Sequence, residues 1–170
     1  MNKLIQTVLN DYTLNPYGIH GLPHWARVLE NGERLAEETG ADLEVVRLFA
    51  VFHDSRRLNE NIDQGHGLRG AELARKCHGS LFDLTASQFD LLYFACAHHT
   101  DGKTEADITV QTCWDADRLD LGRVGINPHP RYLCTEAAKN QETLEWANRR
   151  ALEEYESPLL KAWTKFDLRD

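Results

Sequence analysis

Apolar residues along the chain recur at intervals of three and four rather than two, the period of helices. Leu4, Ile5, Val8 and Leu9 lay out a first amphipathic helix that ends near Asn15-Pro16. A loop, YGIHGL, leads to Pro23, suited to the first turn of a second helix. That helix carries Trp25, Val28, Leu29, Leu35 and Ala36 and stops at Gly40. Asp42 is placed to cap a third. Its sequence, LEVVRLFAVFHD, is apolar on nearly every face, which puts it at the centre of the molecule. The polar loop SRRLNENIDQG separates it from a fourth helix over residues 66–78, closed by Gly79. Thr85 and Gln88 form a capping box that opens a fifth, QFDLLYFACAHH. The loop TDGKTEAD leads to a sixth, ITVQTCWDADRLDL. The tail holds GRVGINPHPRY and helices around 136–155 and 158–166. No strand of any length competes. The pattern predicts an all-α, single-domain helical bundle of about seven to nine helices. Residues 20–125 carry its chemistry, and helices over 131–170 pack on them.

Composition narrows the class. A chain of 170 residues with 42% hydrophobic and 27% charged positions builds its own core and argues against disorder. Nineteen Lys and Arg against 27 Asp and Glu leave a net charge of −8, which argues against binding a phosphate backbone. No apolar run approaches the roughly 18 residues of a membrane span. MNKLIQTVLNDYTLN has polar residues through its apolar stretch, unlike a signal peptide. The expectation is a soluble cytoplasmic protein. Cys77, Cys96, Cys113 and Cys134 form no CxxC pair, so a structural zinc site of the usual spacing is unsupported and free thiols are expected.

The chemistry begins with His53-Asp54, at the end of the most apolar helix. Ionisable groups are costly there without partners, and a divalent cation is one that both imidazole and carboxylate bind. Alone, the pair is equally what an idle helix end shows. Its company changes the picture: His24 lies near the start of the second helix, and His66 opens the fourth. His98-His99 close the fifth, and Asp115 lies within the sixth. Ligands converging from several helices are how bundles build metal sites in their cores.

The ordered set H…HD…H…H…D, with its surroundings HGLPHW, HDSRR, HGLRGAELA, HHTDG and DADRLD, resembles the HD-domain superfamily of metal-dependent phosphohydrolases. HHTDG is similar to part of the HD-GYP signature, but no Gly-Tyr-Pro follows, which points away from a cyclic-di-GMP phosphodiesterase. The resemblance implies that His24, His53, Asp54 and Asp115 hold a first metal. His66 with one or both of His98 and His99 would hold a second, and Asp54 would bridge the two. It implies one or two divalent ions per chain, whether manganese, iron, magnesium, cobalt, nickel or zinc. Two ions about 3.5–4 Å apart would clamp a phosphoester and activate a hydroxide toward phosphorus. The substrate would be a small phosphorylated molecule, a phosphomonoester or phosphodiester of nucleotide-like type. The catalytic roles fall to Asp54, Arg57 and His99. Rival readings are a di-iron oxygenase on the same ligands and a metal-stabilised regulatory module without turnover.

The remaining candidates carry plainer readings beside the functional ones. His98 and His99 project about 100° apart on a helix, so one faces the metals and the other orients substrate or supports a ligand. Asp117 stands about 200° from Asp115 and should leave the metal face, to pair with an arginine or cap backbone, with contact behind the ligands as the alternative. Arg57 is the chosen phosphate-binding cation, and Arg69 and Lys103 are further cations near the mouth. His20 either lines that mouth or stabilises its loop. His78 is expected against helix-end carbonyls and His129 in a surface loop. Trp25 and Trp114 pack behind the ligands. Trp146 and Trp163 cover the core or a dimer interface.

Overall fold

The computed structural model describes residues 1–164. Among them the protein is all-helical, with nine α-helices and no strand beyond one bridge between His78 and Phe82. They run α1 Asn2–Asn10, α2 Leu22–Thr39, α3 Leu43–Phe52, α4 His66–Cys77, α5 Ala86–His98, α6 Ile108–Arg118, α7 Glu136–Lys139, α8 Gln141–Leu152 and α9 Pro158–Thr164. Two 3-10 turns, Leu121–Val124 and Pro130–Tyr132, join α6 to α7. The expected extension of the last helix to residue 166 lies outside the described residues. The local signals act where the sequence puts them. Asp42 accepts from Glu44 and Val45 N–H, and Thr85 and Gln88 close their capping box. Pro23 stands in the first turn of α2, and Gly40 ends it in the left-handed conformation.

Two boundaries differ from the periodicity. Helix α1 stops at Asn10 rather than near Asn15, because Tyr12 turns inward to donate to the His20 carbonyl (3.0 Å) and pack edge-on against Trp25 (5.4 Å). The stretch over 136–155 is broken at Asn140, whose side chain caps α8 through Glu142 and Thr143 N–H. No helix of the described residues is long and apolar enough to cross a membrane.

Helix α3 lies at the centre, with seven of its ten residues buried and α2, α4, α5 and α6 packed around it. Its apolar sides leave its C-terminal end, His53-Asp54, deep inside the molecule. Close approach of α4 makes that possible. A Cβ on Gly70 would lie 2.2 Å from the Phe52 carbonyl oxygen, and one on Gly67 would lie 2.3 Å from that of Cys96. Gly70→Ala must therefore push α4 off the end of α3. We expect it to lower unfolding stability by about 1–3 kcal/mol, read from urea titration. An unchanged midpoint would contradict this packing.

Candidate metal centre

Six side chains from five segments converge beside the end of α3 in two adjoining clusters. One joins His24, His53 and Asp117; the other joins Asp54, His66 and His99. Within them, His24 Nε2 lies 3.0 Å from His53 Nε2, and His66 Nε2 lies 2.9 Å from His99 Nε2. Asp54 stands between the pairs. Its Oδ1 faces His66 Nε2 (3.0 Å) and His99 Nε2 (3.6 Å). Its Oδ2 faces His24 Nε2 (3.7 Å) and His53 Nε2 (3.9 Å).

The opposite ring nitrogens fix the tautomers. His53 Nδ1 lies 3.1 Å from the carbonyls of both Phe49 and Ala50. His66 Nδ1 meets the Asp63 carbonyl (2.6 Å), and His99 Nδ1 meets that of Cys96 (2.8 Å). A carbonyl only accepts, so each of these Nδ1 atoms carries the proton. His24 Nδ1 donates in the same way to Asp120 Oδ2 (2.7 Å), and Arg27 holds that carboxylate through Nε (2.6 Å) and Nη2 (3.1 Å). All four rings therefore aim an Nε2 lone pair inward. Two lone pairs 3 Å apart repel, and so does a lone pair against a carboxylate oxygen. A positive charge between them turns each repulsion into a bond. An N–H donated outward with the other nitrogen facing in is also how metal-ligating histidines are oriented. The donor set fits divalent cations.

Burial keeps His53 neutral, pulling its pKa down to about 3 against the nearby carboxylates. Burial works to raise the Asp54 carboxyl, but its polar surroundings, the hydrogen bond from His20 Nδ1 among them, outweigh it and hold it well below the usual range. Asp117 is likewise held ionised against its burial, with the Arg123 guanidinium among the groups that favour its charge.

Two residues of the expected ligand set lie elsewhere. Asp115 turns away from the histidines and accepts from Cys134 N (2.8 Å), Thr135 N (2.7 Å) and Thr135 Oγ1 (2.8 Å). It fastens the segment that opens α7 to α6, and its carboxyl is raised by burial. Its expected place belongs to Asp117, whose Oδ1 lies 3.4 Å from His24 Nε2 and 3.8 Å from His53 Nε2. The two carboxylates leave α6 on different sides, and Asp117 rather than Asp115 is the one beside the histidines. His98 points outward, 37% exposed, and pairs with Asp101 (2.7 Å), whereas His99 is buried in the cluster.

The surroundings assign the remaining candidates. His20 lines the cluster, with Nδ1 2.8 Å from Asp54 Oδ2, and its carbonyl is pinned by Tyr12 and Trp25. Arg57 is 8% exposed and lies 3.5 Å from Asp54 Oδ1, while Nε and Nη2 bind the Asn59 and Asn61 carbonyls. Arg69 binds Asp63 and the Arg56 and Gln64 carbonyls, and Lys103 pairs with Asp101. Trp25 and Trp114 are fully buried. His78 meets the Leu84 backbone, and His129 caps the second 3-10 turn. Sequence reasoning left Asp120 without a role, although it stands three residues past Asp117, one helical turn on. That spacing is the signal that pairs it with the same histidine.

Known proteins resemble this chain in sequence and in fold. The chain is similar to a crystal structure of a predicted HD superfamily hydrolase from an uncultured Thermotogales bacterium. That likeness has a TM-score of 0.62 and 26% identity, over 89% of this chain and 84% of the other. It is 32% identical over 128 residues to ribonuclease Y of Borreliella burgdorferi, covering 72% of this chain and 23% of that protein. It is 26% identical over 136 residues to ribonuclease Y of Rubrobacter xylanophilus, covering 78% of this chain and 24% of that protein. The chain thus spans about a quarter of the length of these ribonucleases. Residues 22–122 match the HD domain. With that match reaching from the helix that carries His24 to the turn beyond Asp120, the chain belongs to the HD domain family.

Proposed function

We propose that this protein is a metal-dependent phosphohydrolase of small phosphorylated molecules, holding two divalent ions bridged by Asp54. The observation that carries the reading is the pair of inward-facing Nε2 couples with one Asp54 oxygen turned to each. His24, His53 and Asp117 would hold one ion, and His66 and His99 the other. An imidazole-rich set favours a transition metal over magnesium or calcium. Such ions supply Lewis acidity toward a phosphoryl oxygen and acidify water near neutral pH. The chain's own part is to hold the donors in register, through the carbonyls behind His53, His66 and His99 and through Asp120 behind His24. Burial excludes bulk water, which strengthens every charge interaction within. Arg57 adds a cation beside Asp54. A net charge of −8 supports a small substrate over a polynucleotide chain.

Elemental analysis of protein purified without chelator is expected to give about two equivalents of metal per chain. Chelation is expected to lower Tm by about 5–15 °C, since a ligand at 100 to 1,000 times its Kd stabilises by about 3–4 kcal/mol. No metal retained, and none taken up on addition, would sink the reading. The same donors suit iron, and a di-iron oxidoreductase is the second reading. Two equivalents of iron with oxygen consumed on turnover would establish it in place of the first.

A further inference from the structure

Arg123 stands on the first 3-10 turn, with its side chain 7% exposed, and reaches across to the loop that carries His20. Nε donates to the Ile19 carbonyl (2.9 Å) and Nη1 to the Asp120 carbonyl (3.1 Å). Nη2 approaches His20 Nδ1 at 3.4 Å. That nitrogen lies 2.8 Å from Asp54 Oδ2, an acceptor only, so its proton is committed there and it offers Nη2 no lone pair. Nη2 of a nearly buried guanidinium is thus left beside the cluster with no acceptor among the described residues. Buried donors without partners are costly, and an incoming anion relieves that cost. Arg57, the cation the sequence singles out for this task, has two of its nitrogens committed to the Asn59 and Asn61 carbonyls, and its third, Nη1, lies 3.2 Å from His66 Nε2 and 3.5 Å from Asp54 Oδ1.

The cluster is also closed. His24 and His53 are fully buried, and Asp54, His66 and His99 nearly so; Asp117 is the most open of the six, with 16% of its side chain exposed. Donors this deeply buried are reached more easily by a terminal group than by a chain continuing on both sides of the phosphorus. A terminal phosphate ester carries close to two negative charges near neutral pH where a diester carries one, so it gains more from a further cation. We propose that the site selects a terminal phosphoryl group, a phosphomonoester dianion, and that Nη2 of Arg123 receives its outward oxygens. This rests on the phosphohydrolase reading above.

The test compares metal-loaded wild type with R123Q and R123K. Binding of inorganic phosphate is measured by calorimetry, alongside kcat and KM for p-nitrophenyl phosphate and bis(p-nitrophenyl) phosphate. Wild type is expected to bind phosphate and to prefer the monoester. R123Q, at equal metal content, should weaken phosphate binding and raise the monoester KM by about tenfold or more, the worth of a charged hydrogen bond. Its kcat and its diester KM should move far less, and R123K should recover part of the loss. Unchanged phosphate affinity and KM in R123Q overturn the role of Arg123, as does an equal loss toward both esters. A wild type that prefers the diester overturns the terminal-phosphoryl assignment. A wild type that binds no metal and hydrolyses neither ester overturns the phosphohydrolase reading itself, and this inference with it. Activity indifferent to Arg123 overturns the inference alone.

Discussion

Asp54→Asn is expected to lose both ions and to reduce hydrolysis by about 10³-fold or more, with little loss of fold. A single preorganised electrostatic contact at a reacting centre is commonly worth about 10²–10³-fold, and among the described residues Asp54 is the one side chain that faces both histidine pairs. Charge is what the substitution removes. An amide has nearly the shape of a carboxylate, so its oxygen still accepts from His20 Nδ1 and its NH2 donates to the inward lone pairs of His66 and His99. The metal-free variant should therefore unfold within about 1 kcal/mol of the metal-free wild type, the net worth of a typical hydrogen bond. Elemental analysis, steady-state hydrolysis and urea titration of the two proteins check the three parts. A variant that keeps two equivalents of metal and full turnover would remove Asp54 from the centre.

The second large effect is a contrast between two aspartates on one helix. Asp117→Asn should lose one equivalent of metal and most activity, because a neutral amide replaces the carboxylate beside His24 and His53. The stability of the metal-free protein should change little, since that side chain reaches the edge of the site. Asp115→Ala should do the reverse. Three donors, Cys134 N, Thr135 N and Thr135 Oγ1, lose their acceptor in a buried setting. Each orphaned group costs about 1–3 kcal/mol before relaxation, so a total loss of a few kcal/mol is expected. Metal content per folded chain should stay at the wild-type value. The opposite pattern, with metal lost at Asp115 and stability lost at Asp117, would return the ligand role to Asp115.

Much of this molecule was legible in its sequence. Apolar spacing marks each long helix, and Pro23, Gly40, Asp42 and the Thr85–Gln88 box mark their ends, because capping and periodicity act within a turn or two of chain. The largely apolar α3 announces its central position, and with it the burial of His53-Asp54. The order His24, His53-Asp54, His66 and then His98 or His99 was likewise readable as a family pattern.

What the chain alone leaves undecided is rotation. Sequence gives the angle between Asp115 and Asp117, or between His98 and His99, but not which member of each pair faces α3. That depends on how α5 and α6 are turned about their own axes, and packing sets that turn. Asp115 is drawn to the Cys134–Thr135 backbone from 19 and 20 residues away. Asp117 is left to face histidines more than 60 residues earlier in the chain. The same holds for Asp120 behind His24, and for Arg123 brought against His20 across 103 residues. Local chemistry determined the helices and the ligand types. Long-range packing decided which donors meet, because hydrogen bonds and repulsions across helices exist only once the faces are in contact.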